Sequence, residues 1–174
     1  LVATRLAAIK PSPTLAVSAK AARLKSEGKD VIGLGAGEPD FDTPQFIKDA
    51  AVEAMKKGLT KYTPAGGTVS LKKAIIAKFK RDNGLDYTEK QILVSRGGKQ
   101  TSFTLCLALL NPGDEVIIPA PYWVSYPDMA MMAGATPVFV ETTIEAQFKI
   151  DPAALDRAIT PKTRMLMINT PHNP

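Results

Sequence analysis

The chain has 174 residues, enough to bury a core in one domain with a piece of a second, and its 45% hydrophobic and 22% charged content is that of a soluble globular protein. The formal net charge of +5 raises nucleic acid as a partner, but Lys and Arg are spread along the chain without a basic run or interleaved aromatics, so none is expected. No apolar run approaches the roughly 18 residues of a membrane span, no secretion signal opens the chain, and Cys106 has no partner for an internal disulfide, so a cytoplasmic location away from membranes is expected, with no metal site.

Residues 1–10 form an arm ending at Lys10. Ser12 then caps a helix that starts at Pro13 and runs to about Glu27, before Gly28. Val31 to Leu34 reads as a short strand, followed by a loop dense in turn residues, Gly35 to Pro44. Thr43-Pro44 predicts a second helix start, with Ala50, Ala51 and Ala54 in an Ala-rich helix that ends near Gly58. A third helix follows Gly66-Gly67-Thr68. Leu71, Ala74, Ile75 and Phe79 fall on one face of it, predicted buried, with Lys72, Lys73, Lys80 and Arg81 outside.

Gln91 to Val94 is an apolar run rich in β-branched residues, predicted to be a buried strand, and Thr101 to Leu110 is apolar enough for a buried helix. Between them stands Ser95-Arg96-Gly97-Gly98-Lys99-Gln100. A helix that opens on two glycines presents unpaired N–H groups and the positive end of its dipole, a place suited to a phosphate. The same glycines equally make an ordinary strand-to-helix turn, and neither GxxxxGK[ST] nor GxGxxG is present. Cys106, inside this apolar helix, reads as a core residue.

Beyond it, Asn111-Pro112-Gly113-Asp114 is a turn and Glu115 to Pro119 a strand that exits through Pro121-Tyr122-Trp123. A helix from about Ser125 to Ala133 stops at Gly134, Thr136 to Val140 is a strand, Asp151-Pro152 opens a helix through about Ile159, and Arg164 to Asn169 is a strand. Strands alternating with helices predict an α/β fold with a largely parallel sheet, whose ligands sit beyond the carboxyl ends of the strands. Gly97 to Gln100, Pro121 to Trp123 and Thr170 to Pro174 occupy such ends.

Ala36-Gly37-Glu38-Pro39-Asp40-Phe41-Asp42-Thr43-Pro44, Lys61-Tyr62-Thr63-Pro64, Gly97-Gly98-Lys99-Gln100, the run from Asn111 to Pro127, and Asn169-Thr170-Pro171-His172-Asn173-Pro174 carry a resemblance. In order and spacing they resemble class I pyridoxal-phosphate aminotransferases, closest to the bacterial aspartate branch that includes aspartate/prephenate aminotransferases. The resemblance implies a three-layer α-β-α large domain of fold type I, with residues 1–41 as arm and part of the small domain and 42–174 as the first half of the large domain. It implies pyridoxal 5'-phosphate as cofactor, transfer of an amino group between aspartate or glutamate and a 2-oxo acid, and a homodimer.

Residue by residue, the resemblance puts the amides of Gly98, Lys99 and Gln100 on the cofactor phosphate, Trp123 flat on its ring and Asn173 on the ring oxygen. Gly37 meets the substrate α-carboxylate, Tyr62 reaches the partner subunit's phosphate and Lys10 faces the substrate's second carboxylate. Each has a plainer reading: Trp123 as core aromatic, Asn173 as turn residue, Tyr62 as loop aromatic, Lys10 as a solvated arm residue. His172 and Arg96 depart from the residues usual in relatives, and His172 is read as a loop residue. The Schiff-base lysine is expected beyond Pro174, so no catalytic residue is assigned in this chain and the chain alone is expected to be inactive. Another aminotransferase or lyase of the same fold, and a non-enzymatic phosphate-ligand-binding module, are the alternatives.

Overall fold

A computed structural model describes residues 2–173; Leu1 of the arm and Pro174 of the last motif lie outside the described residues. The chain divides into two compact units, one of residues 1–35 and 98–174 and the other of residues 36–97.

The larger unit contains a short 3-10 turn, Thr4–Ala8, and helix α1, Pro13–Ser26. As predicted, the Ser12 side chain accepts from the Leu15 N–H at 3.4 Å, satisfying one of the unpaired donors at the start of α1. Gly35 packs beside α1, where a Cβ on it would stand 3.0 Å from Val17 Cγ1. Strands β1 (Glu115–Pro119), β2 (Thr136–Val140) and β3 (Thr163–Leu166) form a parallel sheet in the order β2-β1-β3. The central place of β1 follows from its sequence, since Val116, Ile117 and Ile118 are buried on both faces of the strand.

The crossovers are helices, as parallel pairing requires. Between β1 and β2 runs α5, Ser125–Met132, ended by Gly134 at φ +85°. Between β2 and β3 runs α6, Pro152–Ala158, whose cap Asp151 accepts from the N–H groups of Ala153 and Ala154. The core joins Cys106 and Leu110 to Val116, Ile118, Met129, Ala130 and Ala135. Cys106 is therefore the core residue its position implied, and burial pushes its thiol pKa up.

Cys106 and Leu110 come from the segment headed by α4, Gly97–Leu109. The predicted buried helix is only half right. Leu105, Leu107 and Leu109 are about half exposed, because only one side of α4 meets the sheet.

The smaller unit holds α2, Gln45–Lys56, and α3, Val69–Asn83. Thr68 caps α3 through the Leu71 N–H at 3.4 Å, and Gly84 at φ +67° ends it. Pro44 stands at the cap position of α2, one place later than the predicted Thr43, and no side chain caps the helix. The predicted buried face of α3 is covered only in part: Ile75 and Phe79 are half-buried, Phe79 against Tyr87, whereas Leu71 and Ala74 are exposed. Gly67, at φ +99°, lets Val94 approach so closely that a Cβ would stand 2.5 Å from Val94 Cγ2.

Two predicted strands are not formed. Val31 to Leu34 and Gln91 to Val94 have no strand assignment, since a strand exists only by pairing and neither segment has a ladder partner among the described residues. Val94 makes a single link instead, from its N–H to the Gly66 carbonyl at 3.0 Å. Ile32 and Leu34 stay exposed.

Candidate functional site

In the larger unit, the start of α4 and the chain leaving β1 lie beside one open cleft of about 460 Å³. Gly97 enters α4 at φ +81°, and a Cβ built on Gly98 meets nothing within 4 Å, so the first turn of the helix faces open space. The dipole of α4 gives its first turn partial positive charge. Lys99 adds a full one and lies on the cleft wall. The Ser102 hydroxyl donates to the Gly98 carbonyl at 3.0 Å, holding the turn together from below.

Trp123 forms the facing wall. The loop after β1 carries it, its carbonyl accepts from the Tyr126 N–H, and its ring meets Tyr126 edge-on, with centroids 5.4 Å apart. These contacts, with packing against the core, hold the half-buried indole in place. The Lys99 Nζ lies over the ring, 4.7 Å from its centroid. A cation over an indole reports an electron-rich surface open to a charged or electron-poor group.

The arm closes a third side, with Lys10, Ser12 and Thr14 on the cleft together with Tyr122 and Asp128. The structure therefore brings Lys10, Lys99 and Trp123 around one space. Gln100 is half-buried in the first turn of α4. Asn173 is exposed, and the segment before it, Asn169, Thr170 and His172, lines a second cavity of about 220 Å³ that shares Tyr122 with the first. Gly37 and Tyr62 belong to the other unit, Gly37 with open space where a Cβ would stand and Tyr62 fully exposed.

Tyr122 was placed at a ligand-facing strand end with Pro121 and Trp123 but given no role, and Asp128 was not singled out from sequence. Tyr122 stands between the two cavities and stacks on Phe139 with centroids 4.9 Å apart, fixing the base of the loop that presents Trp123. Its adjacency to Trp123 in Pro121-Tyr122-Trp123 was the available signal. Asp128 lies a helical turn into α5 and had none. Among the described residues no group of His, Cys, Asp and Glu could hold a metal ion.

A parallel α/β sheet with an open helix start and an aromatic wall at its carboxyl end defines a ligand-binding domain of the kind that takes phosphorylated cofactors. A family model described as aminotransferase class I and II matches residues 29–174, and the chain belongs to that family. It is 66% identical over 170 residues to the aspartate/prephenate aminotransferase of Nitrosomonas europaea, covering 98% of this chain and 43% of that protein. It is 56% identical over 172 residues to an aspartate aminotransferase of Geobacillus stearothermophilus, covering 99% of this chain and 44% of the relative. The aspartate aminotransferase from Thermus thermophilus with maleate superposes at TM-score 0.95 with 50% identity, over 100% of this chain and 46% of that one. The chain thus spans less than half the length of the relatives it matches.

Proposed function

We propose that this chain supplies the phosphate-binding and ring-stacking wall of a pyridoxal-phosphate-dependent aminotransferase that takes aspartate, or glutamate, and a 2-oxo acid. The observation that carries the reading is the Lys99 ammonium over the Trp123 ring, on the same cleft as the first turn of α4. The donor set fits the cofactor: amides and a cation for a phosphate, and a flat indole for an electron-deficient pyridine ring. When bound, the cofactor supplies an electron sink for the α-carbon of an amino acid.

The rest falls to the protein's own groups. The amides of Gly98, Lys99 and Gln100 hold the phosphate, and Trp123 excludes water from one face of the ring and fixes its tilt. Asn173 donates to the ring oxygen, and Gly37 offers its N–H to the α-carboxylate. Lys10 bears on the second carboxylate of a dicarboxylic substrate. Its place on the Lys99–Trp123 cleft supports this, as does the similarity to a Thermus enzyme described with maleate. Lys99 is assigned to binding and not to the Schiff base, whose lysine lies outside this chain, so the chain alone does not turn over substrate. Residues 1–41 act as arm and small-domain segment and 42–174 as part of the large domain, in a cytoplasmic enzyme. Among the described residues no helix is long and apolar enough to cross a membrane.

Equilibrium dialysis of the chain tests this. Pyridoxamine phosphate, which has no aldehyde to react with surface lysines, should bind at least tenfold more tightly than pyridoxamine, and inorganic phosphate should compete. Equal affinity for the two would remove the phosphate site from the start of α4.

A further inference from the structure

Three residues, Ala120 to Tyr122, separate the end of β1 from Trp123. Three contacts tie them to one neighbouring place, the exit of β2. The Ala120 N–H donates to the Val140 carbonyl at 2.9 Å, extending the ladder one residue past the strand. The Ala120 carbonyl accepts from the Thr142 hydroxyl. The Tyr122 ring stacks on Phe139, with centroids 4.9 Å apart and planes 14° from parallel.

These contacts differ in how far they depend on sequence. The bond from the Ala120 N–H is backbone to backbone, and any residue at position 140 would make it. The other two need particular side chains. Thr142 lies 22 residues from Ala120, and both are half-buried. Without the hydroxyl, the Ala120 carbonyl would have to turn toward whatever water reaches it, and the peptide that follows would turn with it. Pro121 cannot correct this, because it has no N–H to anchor and its φ is fixed. An orientation set at Ala120 is therefore carried through a stiff residue to Tyr122, where the stack on Phe139 limits rotation, and so to Trp123. On the far side, the Trp123 carbonyl accepts from the Tyr126 N–H at 3.0 Å, so the indole is held between two fixed points. Neither Thr142 nor Phe139 lines the Lys99–Trp123 cleft, and they act on it only through this loop.

We propose that the Thr142 hydroxyl and the Phe139 ring are positioning residues for Trp123, setting the tilt at which the indole meets the pyridine ring of the cofactor. This rests on the cofactor reading above and divides the site in two. The start of α4 takes the phosphate whatever the loop does, and the exit of β2 governs the ring.

Thr142→Val keeps the shape of the side chain and removes the donor. Phe139→Leu, at a position 42% exposed, keeps an apolar side chain and removes the stack. In each variant of the 174-residue chain, affinity for pyridoxamine phosphate by equilibrium dialysis should fall about fivefold, while that for inorganic phosphate, which engages α4 alone, stays unchanged. The fluorescence anisotropy of Trp123 in the free chain should fall in both variants, since it reports the freedom of the indole directly. Thr142→Ser restores the donor and should return both readouts to those of the unsubstituted chain. Phe139→Leu decides alone if Thr142→Val does not fold. A merely structural role would lower Tm and weaken both ligands together, leaving the ratio of their affinities fixed, and that result overturns the proposal. Unchanged anisotropy in both variants overturns it as well. The anisotropy needs no ligand, so an unsubstituted chain that binds neither ligand contradicts the cofactor reading while the positioning of Trp123 is still judged.

Discussion

Trp123 shows how a residue with an ordinary packing role acquires a binding one. Its ring meets Tyr126 edge-on and packs on the core, yet it also lines the cleft with Lys99 over it. Cys106 is the opposite case: fully buried among Val116, Ile118 and Met129, with burial raising its thiol pKa. The thiolate is the reactive form, and a raised pKa lowers its fraction at any given pH. Cys106 should therefore react with a disulfide reagent at pH 8 at least tenfold more slowly than after unfolding in urea. Equal rates would place the thiol at the surface and contradict the packing of α4 on β1.

At the scale of elements, what the sequence made legible depended on whether the signal was local. α1 and α6 could be read from Ser12-Pro13 and Asp151-Pro152, because a cap and a proline act within one turn. The end of α5 at Gly134 is of the same kind. Val31 to Leu34 and Gln91 to Val94 have strand composition but are not strands, since pairing is settled by what lies alongside and not by the segment itself. The cleft divides in the same way. The open start of α4 was visible in Gly97-Gly98, whereas the meeting of Lys10, Lys99 and Trp123 depends on three distant segments and followed only from family resemblance. Asp128, a helical turn into α5, had no local signal at all. Gly67 is the element most open to a direct check, because both its φ of +99° and the 2.5 Å approach of Val94 exclude a side chain. Gly67→Ala should destabilise the 36–97 unit by about 1–3 kcal/mol, read as a shift in its urea midpoint. An unchanged midpoint would show that the turn before α3 is not held by Val94.

For the whole molecule, β2 and β3 both stand at edges of the three-stranded sheet, and many large apolar side chains are exposed among the described residues. Tyr62 belongs to this scale. Its side chain is fully exposed, and in the proposed homodimer its hydroxyl donates to the phosphate held by the partner subunit. A charge-assisted hydrogen bond contributes about 1.5–3 kcal/mol. Tyr62→Phe should therefore weaken cofactor binding in the dimer by about tenfold or more without lowering Tm, because the ring supports nothing in its own unit. A lowered Tm with unchanged affinity would make Tyr62 a packing residue.

The central claim is that the cleft between α4 and the loop after β1 holds the cofactor against Trp123. Trp123 is the only tryptophan of the chain, so its emission reports on that cleft alone. Titration with pyridoxamine phosphate should quench Trp123 fluorescence to a saturating limit, at the same midpoint that dialysis gives. Phosphate should reverse the quenching, and pyridoxamine without phosphate should need at least tenfold higher concentration. Binding by dialysis with Trp123 emission unchanged would put the ligand elsewhere and contradict the account.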